Sequence, residues 1–277
     1  MRLGAPIFTQ YQDPEAWAAA VHAKGYRAAY CPVKPGADAA TVQAYRTAAA
    51  AHNIIIAEVG AWSNPLSPDP VVRSAALEKC KAALDLADQI GARCCVNIAG
   101  SRGDKWDGPH PADLTDATFD LIVATVREII DAVQPRQSYY TLETMPWMYP
   151  DSVESYVQLI QAIDRPRCAA HFDPVNLVNS PQRYFHSGDL IRDFVEKLGP
   201  QIRSCHVKDI ALDKRLTVHL DEVRPGLGAL DYAALLHAVK KLDADLPLML
   251  EHLPDENEYD LAAAHLRGVA QHEGITL

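Results

Sequence analysis

Four short segments each carry a side chain able to bind a divalent cation or move a proton. They are "LET" with Glu143, "HFDPVN" with Asp173, "HVKD" with His206 and "LEHL" with Glu251. Each stands where a short apolar run gives way to a more polar stretch, the pattern of a buried strand and its loop. A carboxylate such as Glu251, directly after Leu248–Leu250, is costly beside an apolar core unless a cation, a donor or solvent meets it. Three carboxylates and an imidazole brought together without a partner would repel one another strongly. A divalent cation removes that repulsion. The oxygen-rich set favours Mn2+, with Mg2+ or Co2+ next, over Zn2+, which prefers more nitrogen or sulfur.

The chemistry that follows is proton abstraction. A divalent ion chelated by neighbouring carbonyl and hydroxyl oxygens acidifies the C–H beside the carbonyl by stabilising an enediolate. A base must take that proton and an acid must return one. Glu143 and Glu251, on strands flanking those of Asp173 and His206, are placed to reach a substrate from two sides and are the expected catalytic pair. Taken singly, a polar residue at a strand end is commonly just solvated, and a lone His206 would more often be structural. Four in succession at comparable depth favour the metal.

Positioning such groups requires a regular scaffold, and the chain alternates two periods from end to end. Short apolar runs at 3–8, 26–31, 54–59, 93–98, 139–144, 168–173, 202–207 and 248–253 read as strands. Between them, amphipathic and often Ala-rich segments at 14–24, 37–52, 71–90, 118–133, 152–163, 190–198, 232–242 and 258–272 read as helices. Eight strand–helix units fit a (β/α)8 TIM barrel, which typically takes about 250 residues, and no composition break divides residues 1–277 into further domains. Adjacent strands lie about 5 Å apart, so the ends of strands five to eight can converge. Helix-to-strand connections are tight, whereas the strand-to-helix loops at 60–70, 99–116 and 209–230 are long and rich in Gly, Pro and polar residues. Barrel enzymes build their sites from the latter set.

Composition narrows the partners. The formal charge is -10, with 26 Lys and Arg against 36 Asp and Glu, and no basic run appears, so nucleic acid is a poor partner. No apolar stretch reaches membrane-span length and the amino terminus lacks a signal-peptide pattern, so a cytoplasmic protein with no membrane association is expected. Six cysteines without CxxC or framework spacing fit a reducing compartment. A homo-oligomer or a partner subunit is compatible with all of this.

Weaker candidates surround the four. His171 lies two residues before Asp173 on the same strand face, and is as well read as an interior hydrogen-bonded residue as a substrate contact. Lys208 shares the face of His206 and could steady an oxyanion or pair with Glu251 or Asp209. Glu58 ends the third strand and could bind a sugar hydroxyl or support the site from behind. Trp62, Trp106 and Trp147 fall in the long loops, where an indole can stack on a sugar ring, though packing beneath a loop is the default for any one of them. The glycines of "RPGLG" are a weak phosphate signal, and the substrate is expected to be unphosphorylated.

As a set, "LET", "HFDPVN", "HVKD", "RPGLGALDY" and "LEHL" resemble the xylose-isomerase-like barrels grouped as sugar phosphate isomerases/epimerases, which include ketose 3-epimerases and inosose dehydratases. The resemblance spans nearly the whole chain. It implies metal ligation by Glu143, Asp173, His206 and Glu251, proton shuttling by the two glutamates, and a substrate contact from Arg224. Ketose 3-epimerases often carry D-x-x-H after strand six, where this chain has Asn176 at the substrate side. The expected protein is therefore a metal-dependent isomerase or epimerase of a small carbohydrate. The alternative with the same metal site is a dehydratase or lyase on keto-sugars or 3-keto-glycosides. An endonuclease-like repair enzyme is disfavoured by the charge, and a non-catalytic sugar-binding subunit is the remaining rival.

Overall fold

The computed structural model describes residues 1–277. Its elements in chain order are β1 (Arg2–Gly4), α1 (Pro14–Ala23), β2 (Ala28–Ala29), α2 (Ala39–Ala51), β3 (Ile55–Ile56), β4 (Glu58–Gly60) and α3 (Pro70–Ile90). Next come β5 (Cys94–Asn97), α4 (Asp116–Val133), β6 (Tyr140–Glu143), α5 (Val153–Ile163), β7 (Cys168–Phe172), α6 (Pro174–Leu177), α7 (Pro181–Phe185) and α8 (Ser187–Leu198). The chain ends through β8 (Ile202–Val207), β9 (Asp209–Leu212), β10 (Leu220–Val223), α9 (Tyr232–Val239), β11 (Pro247–Leu250) and α10 (Glu256–His272).

The main sheet is parallel and ordered β3-β2-β1-β11-β8-β7-β6-β5-β4. Its two ends, β3 and β4, are halves of one apolar run parted at Ala57. Ala57 donates its amide to Ala29 O at 2.8 Å and accepts from Cys94 N at 3.3 Å, so the third strand joins its neighbours on both sides. The ring is thereby nearly closed into a (β/α)8 barrel.

Local chemistry starts the outer helices. Asp13, Asp38, Asp69, Thr115, Ser152, Asp231 and Asp255 each cap a helix, their side-chain oxygens accepting backbone amides of the first turn. The apolar face of each helix packs on the barrel, and the core between the layers holds Trp17, Tyr140, Tyr156, Phe172 and Phe194, all buried. Inside the barrel the alternation of β-strands turns Glu58, Thr141, Glu143, His171, Ser204 and His206 away from the helices, and all are buried.

Three expectations from the sequence change. The first strand ends at Gly4 rather than continuing to residue 8, and the last ends at Leu250, so Glu251 lies just past it. The segment after β7 holds two short helices, because Pro174 and Pro181 each start a turn capped by Asp173 and Ser180. The long loop 209–230 contains an antiparallel hairpin, β9 with β10, registered from Val223↔Asp209 to Leu220↔Leu212. No helix is long and apolar enough to cross a membrane.

Candidate metal centre and active site

Neighbouring strands fix the site. Parallel pairing sets Met249 against His206, and Glu143 against His171. Glu251, two residues beyond Met249, and Asp173, two beyond His171, therefore lie above those rows at the C-terminal rim. One ligand atom from each of Glu143, Asp173, His206 and Glu251 falls within 4.8 Å of the others. His206 Nδ1 is 2.9 Å from both Glu143 Oε1 and Glu251 Oε1.

Asp173 divides its work between its two oxygens. Oδ1 accepts the amides of Val175 at 2.9 Å and Asn176 at 3.2 Å, which start α6. Oδ2 is left for the cluster. Lys208 Nζ approaches it to 2.9 Å and approaches Glu251 Oε1 to 2.5 Å, with Glu143 Oε1 at 3.6 Å and Glu222 Oε2 at 3.7 Å. The buried ammonium thus pairs with Asp173 Oδ2 and Glu251 Oε1, two buried oxygens that have no other partner among hydrogen-bond donors. Two buried carboxylate oxygens met only by a cationic group, beside a third carboxylate and an imidazole nitrogen, make a donor set suited to a divalent cation.

The electrostatics follow from burial and crowding. Burial pushes the Asp173 carboxyl up to about 7, with Glu143 and Glu251 adding to the rise and Lys208 opposing it. For Glu251, burial is outweighed by His206 and Lys208, which hold the carboxyl well below its ordinary value. Glu143 is likewise lowered, chiefly by His206 against the effect of burial. Burial disfavours a charged His206, but Glu251, Glu58 and Glu143 together raise its pKa well above the ordinary value.

Above this floor opens a cavity of about 510 Å³. Glu143, Lys208, Glu251 and Asn176 line its base, while Tyr30, Trp62, Trp106 and Trp147 line its walls. All three of these tryptophans are partly exposed, whereas the remaining one, Trp17, is buried in the core. Asn176 Nδ2 donates to Glu143 Oε1 at 3.2 Å, so it touches a proposed proton carrier directly.

Other expected contacts sit elsewhere. Glu58 and His171 do not line the cavity; both are buried beneath it, His171 Nε2 donating to Glu58 Oε2 at 3.0 Å. Their inward faces were legible, but their depth was not: Glu58 opens β4 rather than ending it, and His171 lies on β7 two residues before Asp173. Arg224 does not reach the cavity either: its Nε donates to Glu258 Oε2 at 2.8 Å on α10. The glycines of "RPGLG" wrap an internal carboxylate instead of a phosphate. Gly226 N and Gly228 N donate to Asp209 Oδ2 at 2.9 and 3.0 Å, and a Cβ at Gly228 would lie 2.3 Å from Asp209 Oδ1. Asp209 thus shapes the loop that follows the hairpin.

Among the cavity residues that the sequence reading passed over are an acid and a histidine at the rim. Glu222, on β10, and His252 meet at the rim, His252 Nδ1 lying 3.2 Å from Glu222 Oε1. Glu222 raises the His252 pKa through that contact. The hairpin that delivers Glu222 had no signal beyond loop length, whereas His252 directly follows Glu251 and could have been noted.

Solved structures with the same fold cover almost the entire chain. D-psicose 3-epimerase from Clostridium cellulolyticum H10 is 14% identical with a TM-score of 0.70, covering 100% of both chains. The probable 3-DHS dehydratase AsbF from Bacillus anthracis is 17% identical with a TM-score of 0.70, covering 98% of this chain and 99% of its own. The 3-keto-D-glucoside 4-epimerase YcjR from E. coli is 12% identical with a TM-score of 0.68, covering 97% and 99%. Among curated proteins, none matches the sequence. The sequence model of the xylose isomerase-like TIM barrels matches residues 17–269, and the chain belongs to that family.

Proposed function

We propose that the protein is a divalent-metal-dependent isomerase or epimerase of a sugar or keto-sugar, working by removal of a proton alpha to a carbonyl. The observation that carries this reading is the convergence of one ligand atom each from Glu143, Asp173, His206 and Glu251 within 4.8 Å, with Glu143 and Glu251 opening onto an aromatic-walled cavity. Glu143, Asp173, His206 and Glu251 would hold the ion, Mn2+ by preference. Bound there, it would offset the negative charge that builds on the substrate oxygens as the C–H bond ionises.

The chain's own residues do the rest. Glu251 and Glu143 belong to the ends of β11 and β6, separated by β8 and β7, and reach the cavity base from two sides. Their lowered pKa values keep them ionised and able to accept a proton. Lys208, buried with its ammonium at the base, would donate to a substrate oxygen; Asn176 steadies Glu143 and faces the same space. Trp62, Trp106 and Trp147 would stack on the C–H faces of the ring and keep water from the base. The fold neighbours named above, two epimerases and a probable dehydratase, support a polyhydroxylated small-molecule substrate.

Elimination of a group beta to the carbonyl is the second reading, favoured by the Glu222–His252 pair at the rim. A His252 whose pKa is raised by Glu222 is an acid placed to protonate a leaving oxygen. One experiment addresses both. Metal-loaded protein is incubated in D2O with free ketoses, inososes and 3-keto-glycosides, and deuterium is expected alpha to the carbonyl only when metal is present. Mass loss of water or an aglycone marks elimination. Movement of an alpha-deuterium label to the neighbouring carbon with none lost to solvent under any condition rules out proton transfer.

A further inference from the structure

Beneath the four expected ligands lies a second buried layer. His206 Nε2 is 2.9 Å from Glu58 Oε1, on the side of the ring opposite Glu143 and Glu251. The other oxygen of Glu58, Oε2, accepts from Ser204 Oγ at 2.8 Å and from His171 Nε2 at 3.0 Å. Glu58, His171, Ser204 and His206 are all at most 2% exposed, and none of them lines the cavity. The carboxylate thus collects three donors and faces no solvent. His171 Nδ1 is buried with no partner, and its Nε2 is the ring nitrogen that donates to Glu58.

Glu58, His171 and His206 also present three ligand atoms close enough for a metal. Hydrogen bonding accounts for them more completely. The Ser204 hydroxyl fills an acceptor position on Glu58, and both imidazoles meet it at ordinary hydrogen-bond distances.

We infer that Glu58 is a positioning residue for the metal centre: by accepting the Nε2 proton of His206, it leaves the Nδ1 lone pair facing Glu143, Asp173 and Glu251. The inference rests on the metal reading proposed above. Without Glu58 the ring could carry its single proton on either nitrogen, and the tautomer protonated on Nδ1 cannot ligate. Ser204 and His171 act one step further back by fixing the carboxylate. A ligating imidazole held by an outer carboxylate typically loses 10–100-fold in metal affinity, to order of magnitude, when the carboxylate is removed.

The test is calorimetric titration of Mn2+ into the chelator-treated full chain, with wild type, Glu58→Gln and Ser204→Ala compared. Glu58→Gln keeps the shape but removes the charge, and is expected to weaken Mn2+ by about 10–100-fold. Ser204→Ala removes one of three donors to Glu58 and is expected to weaken it by less. Stoichiometry should remain one ion per chain. Histidine nitrogen resonances of the Mg2+-loaded protein should show His206 protonated at Nε2 in wild type and a mixture of tautomers in Glu58→Gln. A folded Glu58→Gln protein that binds Mn2+ as wild type does, with the tautomer unchanged, overturns the inference, as does a second ion lost on the same substitution. If Glu58→Gln fails to fold, Ser204→Ala decides, and wild-type affinity and tautomer there overturn it. Failure of wild type itself to bind Mn2+, Mg2+ or Co2+ would instead overturn the metal reading.

Discussion

Lys208 Nζ lies 2.9 Å from Asp173 Oδ2, the one oxygen of that carboxylate not already taken by the amides that start α6. A buried ammonium therefore stands where carboxylates crowd, and supplies the charge balance of the cluster. Replacing it with Met keeps the stem and removes the charge. Breaking a buried ion pair from one side typically destabilises by about 3–5 kcal/mol. Urea unfolding of metal-free Lys208→Met should show a loss of that order, and Mn2+ should restore part of it. An unchanged unfolding midpoint would mean that the ammonium does not balance the cluster.

Metal content is the second expectation. Elemental analysis should find one divalent ion per chain, removed by strong chelation and restored best by Mn2+ or Co2+. Asp173→Ala and His206→Ala should each abolish retention. Unchanged binding in both variants, or no ion in freshly purified wild type and none taken up, contradicts the four-ligand assignment.

Metal uptake should release protons. Burial keeps Asp173 protonated up to about 7, and carboxylate neighbours keep His206 protonated well above its ordinary range. A cation needs both in their deprotonated forms, so its apparent affinity should fall as pH is lowered through about 7. The sign for folding agrees. The raised Asp173 pKa makes the metal-free fold less stable as pH climbs from about 4 to about 7, while the raised His206 pKa favours the fold below its unfolded value near 6.5. Calorimetric titrations in buffers of different ionisation enthalpy count the protons, and a pH-independent affinity from about pH 5 to about pH 8 would refute the expectation.

Glu143→Gln and Glu251→Gln should separate the proton carriers from the scaffold. Each keeps the side-chain shape but cannot accept a proton, and general acid–base catalysis is typically worth about 10²–10⁴ in rate. The turnover number should drop by that order with metal present at saturation. Activity within a few-fold of wild type in both variants would assign the base to another residue.

Trp62 offers a contrasting case. Its ring lies 6.2 Å from that of His206, and it is partly exposed at the cavity wall. Trp62→Ala should raise KM by up to about tenfold, the size of one aromatic contact, with kcat little changed. A fall in kcat with KM unchanged would place the indole in the reacting geometry.

The barrel and the convergence of the four proposed ligands were legible in the sequence because both depend on short-range pattern. Strand ends are marked by the switch from apolar to polar residues, and a barrel places consecutive strand ends side by side. Depth along a strand is a different quantity, set by register between strands distant in sequence. Glu58 and Asp173 both look like strand-end acids, yet Glu58 opens β4 and lies behind His206, whereas Asp173 follows β7 and joins the candidate ligand cluster. Arg224 was lost for a related reason: its partner Glu258 comes from α10, across the following helix and strand. The hairpin that brings Glu222 over the site has too few residues per strand for a clear period.

The order of the strands has an engineering consequence. Every expected ligand comes from β6, β7, β8 and β11, the later half of the chain, whereas Tyr30, Trp62 and Trp106 follow β2, β4 and β5 in the earlier half. On the proposed reading, the metal ligands and two of the three wall tryptophans are therefore encoded in separate stretches of sequence. Loops 60–70 and 99–116 can be exchanged or randomised without rewriting the ligand set, provided Glu58 is kept. A library confined to those loops should yield variants that retain the metal while changing which substrate they accept.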